Sequence, residues 1–502
     1  MIYCVIWING IIVLHAKPHG GILGDLKVRM NKETKRLGEE KIHRLLLHFT
    51  IPAMVGTLVT SLYSIIDRIF VGRYVGSDAF SGIGVTFAIS MVMMSFGMLI
   101  GIGTSARMSI ALGRQKPEEA EKILGNAVFL IFFTSLTLTA ACLLALDPLL
   151  DVLGASAVTK PYAKDFISII LLGGLFQFIG FGLNGTISAQ GSPRVSMLTM
   201  ILNAAVNVVL LIVFIRVLGW GVKGSALATL IAQFVSAAWV FWFLRGRKRA
   251  VRIRFRSMRP DWNVIRGILV IGFAPFLMQI SGSFVMAVIN RQLVAHGGDM
   301  ALGAMNAIFG IAIFLVMPII GISQGAQPII GYNFGAKNFK RVKRTLALAV
   351  GAATLYSTFV FVLIQLFPSH AIMLFTRDTQ ILDIGTHGIR FYLLMLPVIG
   401  VQIISANFFL AVGKPVKSMA LNLLRQVIVL IPLLLVLPRF LGLFGVWVSV
   451  PAADFTSALL TVVFVRRELG HLDDAHAAQE LDRTSLAKQE CYPESEGSEY
   501  VL

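Results

Sequence analysis

The chain has 502 residues, of which 56% are hydrophobic and 14% charged, with a mean hydropathy of +0.79. Soluble domains carry roughly 25% charged residues, so the composition excludes an ordinary soluble fold and points to an integral membrane protein. The formal net charge of +18 has the sign that nucleic acid attracts, but the basic residues crowd the loops between apolar segments and no recognition motif accompanies them.

Residues 1–14 are apolar but interrupted by Asn9-Gly10, and basic residues follow rather than precede them, unlike a secretory signal. The expectation is that translation starts at Met30 and that residues 1–29 are upstream or dispensable. Twelve apolar segments then lie near 46–73, 82–106, 122–146, 162–186, 194–217, 222–245, 266–293, 302–326, 344–367, 384–410, 418–437 and 442–465. Stretches of about 20 apolar residues cross a hydrocarbon core roughly 30 Å thick as α-helices. No ten-residue stretches alternate as a membrane barrel requires, and backbone hydrogen bonding in lipid then leaves helices alone.

The second six segments repeat the first. Ala189, Gly191, Pro193, Ser196 and Met197 recur 222 residues later as Ala411, Gly413, Pro415, Ser418 and Met419, and Gly103 and Gly113 recur as Gly325 and Gly335. Pro52 with Asp67-Arg68 returns one residue out of step as Pro275 with Asn290-Arg291. An even number of spans per repeat puts both repeats in the same orientation, related by an axis along the membrane normal. The expected fold is an all-α membrane protein of twelve transmembrane helices in two six-helix lobes, 30–245 and 266–467. A basic linker over 246–265 joins them, and a disordered acidic tail covers 468–502.

Arg245 through Arg266 hold nine basic residues and one acid, Asp261; Lys337, Lys340, Arg341, Lys343 and Arg344 crowd the loop after the eighth span. By the positive-inside rule the even-numbered loops and both termini face the cytoplasm, at the plasma (inner) membrane. The expected partners are the lipid bilayer and a small organic cargo, with no nucleic acid, and the protein is expected to be monomeric. Cys4, Cys142 and Cys491 give neither a disulfide framework nor a metal site. Gly321-Ile-Ser-Gln-Gly325 fits the nucleophile-elbow formula but lacks a strand and triad partners, and there is no phosphate-binding loop, so the expectation is a non-enzyme without a cofactor, driven by an ion gradient.

The stretches Arg36-Leu-Gly-Glu-Glu-Lys-Ile42 and Phe49-Thr-Ile-Pro-Ala-Met54, with Ile66-Asp67-Arg68-Ile-Phe-Val-Gly72, Ala189-Gln-Gly-Ser-Pro193 and Leu424-Arg425-Gln426, occur in the order of the multidrug and toxic compound extrusion (MATE) family, which the chain resembles from about residue 36 to 467. The resemblance implies an antiporter that exports bulky organic compounds, cationic or aromatic, in exchange for H⁺ or Na⁺, with the coupling site in the N-terminal lobe. Asp67 falls on the family's ion-coupling aspartate, and Asn207 and Thr229 on polar positions of its cation site. The family's Asp and Pro after that Asn are Leu211 and Ile212 here, and a glutamate of another branch is Ser283; with one acid fewer, the site suits H⁺ better than Na⁺.

Read from the residues themselves, a charged Asp at mid-bilayer costs roughly 2.5–3.5 kcal/mol, so it is tied to an ion, a partner or a cavity. Asp67 lies roughly 10–13 Å from the outer end of the first span at 1.5 Å per residue, where pairing with Arg73 or water is the alternative. Asn203 and Asn207 share a helix face; the alternative role for them and Thr229 is interhelical hydrogen-bond glue, worth about 0.6 kcal/mol per bond. Asn203, Gln279, Asn290 and Gln402 are the substrate-pocket candidates, beside Met91, Met93, Met94 and Met98, whose thioethers suit varied aromatic ligands. Arg425 reads as a snorkelling anchor. Two rival functions stand: a flippase for lipid-linked oligosaccharides, disfavoured by scarce mid-span Arg and Lys, and a non-transporting scaffold or receptor.

Overall fold

In the computed structural model, residues 4–8, 11–15, 32–246, 250–374 and 378–491 are described. The expected start at Met30 lies outside them. An antiparallel hairpin of β1 (Cys4–Ile8) and β2 (Ile11–His15) pairs Cys4 with His15, and the remaining regular structure is helical.

The first lobe comprises α1 (Ile42–Tyr74), α2 (Ser77–Gly113), α3 (Pro117–Leu144), α4 (Lys160–Leu172 and Gly174–Ala189, bent by 55°), α5 (Pro193–Val217) and α6 (Gly221–Arg245). The second comprises α7 (Trp262–Gly298), α8 (Met300–Gly335), α9 (Phe339–Leu366), α10 (Thr379–Tyr392 and Leu396–Ala411, bent by 53°), α11 (415–441) and α12 (443–491). Nine of the described helices are long and apolar enough to span a bilayer, and the two bent pairs make eleven. That tally takes Pro415–Ala477 as one, but Gly442 breaks it at φ 60° and ψ −140°. The chain doubles back there, because Gly445 packs on the Leu437 carbonyl and Asp454 returns alongside Arg425. Taken as two helices on either side of Gly442, the stretch brings the number of helices of span length among the described residues to twelve.

Local chemistry explains the shared punctuation of the lobes. Gly191 and Gly413 adopt φ +91° and +72°, a region that glycine enters without a Cβ clash. Two residues on, Pro193 and Pro415 open α5 and α11, where a missing N–H costs nothing. The strongest block of the sequence repeat is thus a left-handed turn followed by a helix start, used once per lobe. Asp261 caps α7 by accepting from the Asn263 and Val264 amides.

The lobes meet along a seam of glycines at the end that carries the basic loops. A Cβ on Gly113 of α2 would overlap the Tyr332 carbonyl of α8, and one on Gly335 of α8 would overlap the Ile110 carbonyl of α2. Ile110 and Tyr332 are themselves 222 residues apart, so the two contacts are symmetry mates. Gly103 likewise abuts Ile268 and Gly272 of α7, while Gly325 abuts Thr50 of α1. Small residues let helix backbones approach to this distance, and dispersion contacts then hold them without a hydrophobic driving force. Inter-lobe contacts continue up to Thr57 Oγ1, which donates to the Met317 carbonyl at 3.1 Å, and to Gln279 Nε2, 2.8 Å from Met91 Sδ.

The basic end is fastened further. The short helix Lys32–Glu39 touches both lobes: Thr34 donates to the Gln190 carbonyl and Ser192 donates to Glu33, while Asn333 and Arg341 donate to the Leu37 carbonyl and Arg341 to that of Glu40. The described part of the basic linker is packed rather than loose. Buried Glu121 of α3 pairs with Arg252 and Arg254, the Val251 amide donates to Gln190, and Asp261 to Asn126. The tail expected to be irregular from Glu468 instead continues α12 to Cys491. Two lysines explain its first turn: Glu468, fully buried, is held by Lys414 at 2.5 Å and Lys417 at 2.6 Å. Residues 492–502 of that expected tail lie outside the described residues.

Gly335→Leu is expected to lower stability by about 1–3 kcal/mol through overpacking of the seam. Gly351→Leu, where a side chain meets open space, is the control; thermal melting of the two purified variants in detergent checks the difference.

Candidate functional site: the cavity between the lobes

Between the lobes lies a cavity of about 320 Å³, walled by both halves. Phe49 and Ala53 of α1 and Met98 of α2 form part of one side, and Gln324 of α8, Gln402 of α10 and Arg425 of α11 part of the other. The deepest lining residues of α2 and α8 are Ser105 and Pro328. Gly113 and Gly335 lie about two helical turns beyond them toward the basic end. The seam therefore shuts the cavity on that side.

The lining is soft and nearly uncharged. Met98, Met197, Met200 and Met278 contribute polarizable thioethers, and Phe49 and Phe181 contribute rings. Of the four helix-2 methionines singled out by sequence, Met98 alone reaches the lining. Among the described residues Arg425 is the one charged residue in it. It is not a snorkelling anchor: its Nε donates to Asp454 Oδ1 of α12 at 2.6 Å, and Asp454 is 2% exposed. Gln402 Nε2 donates to the Asp454 carbonyl at 2.7 Å, and Tyr392 lies close enough to feel the carboxylate. Sequence reading missed Asp454 because an Asp 29 residues from an Arg signals no pairing until the reversal at Gly442 is known.

The expected coupling residues form a second cluster, inside the N-terminal lobe. Ser225 Oγ of α6 donates to Asp67 Oδ1 at 2.9 Å, and Asp67 is half-buried. Buried Asn207 of α5 donates through Nδ2 to Thr229 Oγ1 of α6 at 3.1 Å, while its Oδ1 is buried without a hydrogen-bond partner among the described residues. Asn203 and Asp67 both border the Tyr63 hydroxyl of α1. Helices α1, α5 and α6 thus bring Asp67, Asn203, Asn207 and Thr229 to one region. Fourteen residues of α1 separate Ala53 in the cavity wall from Asp67, roughly 21 Å along the helix.

The substrate-pocket candidates divide. Gln402 lines the cavity; Asn203, Gln279 and Asn290 do not. Asn203 belongs to the Asp67 cluster, Gln279 spans the seam to Met91, and Asn290 lies farther along α7, its Oδ1 buried without a hydrogen-bond partner among the described residues. The polar lining came instead from residues that the pattern did not mark, Gln324, Gln327, Asn407 and Asn422 among them. Three π-helical segments, Phe178–Gly182, Ile212–Val217 and Leu424–Leu430, interrupt α4, α5 and α11; such segments often mark functional positions, and the last carries Arg425.

Two pseudo-symmetric bundles around a one-sided cavity define a multi-pass membrane transporter. The family model described as MatE matches residues 52–213 and, again, 273–436, so the chain belongs to the MATE family of multidrug efflux transporters, and the double match restates the internal repeat. It is similar to the multidrug export protein MepA of Staphylococcus haemolyticus (strain JCSC1435), 27% identical over 429 residues that cover 85% of this chain and 94% of that protein. It is similar also to MepA of Staphylococcus aureus (strain MRSA252), 26% identical over 428 residues, 84% and 93% of the two chains. Among solved structures, a MATE transporter crystallised with MaL6 superposes with a TM-score of 0.84 at 24% identity, covering 88% of this chain and 99% of that one. An outward-facing MATE family transporter of the MOP superfamily gives 0.82 at 23%, covering 92% and 100%. At these identities the likeness establishes the fold.

Removing one member of the buried pair leaves the other uncompensated. Arg425→Ala is expected to cost about 3–5 kcal/mol, and the apolar double variant Arg425→Leu with Asp454→Leu much less; melting temperatures of the purified variants test this ordering.

Proposed function

We propose that this protein exports organic compounds, cationic or aromatic, out of the cytoplasm in exchange for H⁺, with Na⁺ the lesser alternative. In this reading it is a monomer in the plasma membrane, and the basic end and both termini face the cytoplasm. The observation that carries it is the position of Asp67: a carboxylate on the helix that also walls the cavity, held by a hydroxyl of α6. The cavity, shut on the basic side, then represents the state that discharges cargo outward.

The switch follows from hydrogen-bond strength. An ionised carboxylate accepts from Ser225 with about 1.5–3 kcal/mol, a neutral acid with about 1 kcal/mol. Protonation thus loosens α1 from α6 by about 1 kcal/mol or more, which shifts a two-state equilibrium roughly fivefold. Asn207, with an unpaired Oδ1 nearby in the same lobe, supplies an acceptor for a neutral acid or a displaced proton donor when α1 repacks. The movement reaches the cargo because Phe49 and Ala53 ride on the same helix. The lining carries one cation, already paired with Asp454, which is too little positive charge to hold the pyrophosphate of a lipid-linked sugar and disfavours the flippase alternative.

Purified protein in liposomes with imposed pH and Na⁺ gradients, scored for ethidium transport, tests the reading. A pH gradient is expected to drive transport by the native protein, and Asp67→Asn to abolish it at unchanged reconstitution yield. Gradient-driven transport by Asp67→Asn at the native rate would remove Asp67 from the mechanism.

A further inference from the structure

A second concavity lies on the outer surface of the C-terminal lobe, apart from the cavity between the lobes. Leu269, Val270 and Phe273 of α7 face Pro415, Val416 and Met419 of α11 across an apolar groove of about 250 Å³. Val270, Phe273 and Val416 are 48%, 45% and 67% exposed, so the groove opens outward, where a bilayer places acyl chains. Its mouth is charged. The exposed stripe of α7 runs through Trp262, Arg266, Val270 and Phe273, so the indole and the guanidinium stand on the groove's own face, one to two turns nearer the basic end. Among the described residues Arg266 has no ion-pair or hydrogen-bond partner, and the adjacent acid, Asp261, is turned to the Asn263 and Val264 amides. On the α11 side Pro415 and Val416 lie between Lys414 and Lys417, whose two positive charges share the single carboxylate of Glu468.

The rim thus carries net positive charge above an apolar bed, with an indole of the kind that settles at headgroup depth. Basic sites between membrane helices recruit anionic lipid headgroups, and a guanidinium meets phosphate oxygens with two parallel donors. An acyl chain gains little by leaving other chains for an apolar groove, so selection of one lipid rests on the headgroup contact. The floor of the groove shows what an occupant supports. Ala274 and Met419 form part of it, and their chain neighbours Pro275 and Ser418 line the cavity between the lobes. Ala274 and Met419 pack in one small apolar cluster with Ala106 of α2 and Leu410 of α10. Another face of α7 meets α2 at the seam, where Gly272 lies on the Leu99 carbonyl.

We infer that this groove is a binding site for an anionic phospholipid of the leaflet at the basic end, its phosphate on Arg266 and one acyl chain between α7 and α11. The lipid is a structural one: seated there, it braces α7 and α11 from outside, behind both the seam and the wall of the cavity. The inference concerns the outer face of the lobe and is independent of the cargo and of the coupling ion.

The test uses the full-length protein purified in detergent. Its probes are phosphatidylglycerol, phosphatidylcholine with the same acyl chains, whose choline cancels the phosphate charge, and glycerol 3-phosphate, which has the phosphate without chains. Native mass spectrometry counts the molecules bound, and thermal melting reads their effect. The native protein is expected to hold one phosphatidylglycerol roughly fivefold or more tightly than phosphatidylcholine, and to melt at a higher temperature with it. Arg266→Gln is expected to erase that preference, and Arg266→Lys, which keeps the charge without the fork, to retain part of it. Val416→Trp, which fills the groove from its rim, is expected to remove the tightly held lipid. Arg266 and Val416 are both exposed, so these variants lose no core packing. Arg344→Gln, which removes an exposed cation of the basic end on another helix, is the control and is expected to keep the preference. Equal retention of the two lipids by the native protein, or equal losses in Arg266→Gln and Arg344→Gln, would reveal annular lipid only and overturn the inference. Glycerol 3-phosphate bound as tightly as phosphatidylglycerol would overturn it as well, as the mark of a site for free phosphate.

Discussion

Everything in this molecule depends on backbone touching backbone where the lobes cross. Gly113 against Tyr332 and Gly335 against Ile110 form one reciprocal contact, while Gly103 abuts Ile268 and Gly325 abuts Thr50. In lipid, apolar side chains gain nothing by leaving one apolar neighbour for another, so association rests on close fit. Four glycines supply that fit, and hydrogen bonds such as Thr57 to the Met317 carbonyl and Arg341 to the Leu37 carbonyl add to it. A seam of this kind closes the basic end of the cavity through many individually weak contacts.

Inside that frame the charges are few and each is braced. Asp67 is tied to Ser225, and Asp454 to Arg425, with Gln402 behind. The two carboxylates do different physical jobs. Asp454 is almost completely buried and accepts from the Arg425 guanidinium. Asp67 is half-buried and accepts from the Ser225 hydroxyl. Of the two sites, the one in the N-terminal lobe ties its carboxylate to a hydroxyl, and the one in the C-terminal lobe ties its carboxylate to a guanidinium in the cavity wall.

Much of the fold was legible in the sequence because lipid imposes a one-dimensional signal. Apolar runs of span length gave the helices, and Gly191-x-Pro193 with Gly413-x-Pro415 gave the repeat that the structure resolves into left-handed turns and helix starts. The Asp67, Asn207 and Thr229 cluster was legible through resemblance and through helical spacing. The cavity lining was not. Gln279 and Asn290 share polarity and span with real lining residues but point to the seam or farther along α7, and helix rotation is not encoded in composition when every face is apolar. Arg425 was misread for a different reason: its partner comes from the next span, and the reversal at Gly442 that unites them is a single residue. The end of α12 departed from expectation because a polar run was weighed by composition, whereas Lys414 and Lys417 neutralise Glu468 and carry the helix onward.

The central claim is that protonation of Asp67 exchanges a closed basic end for a closed far end. Spin labels on Glu118 and Arg344 report one end, and labels on Val152 and Leu374 the other, all four being exposed. Distances from double electron–electron resonance, taken across the pH range in which a carboxylate titrates, test it directly. The account predicts that the two distances change in opposite directions in the native protein and stay fixed in Asp67→Asn. Distances that do not move with pH, or that move together at both ends, would contradict it.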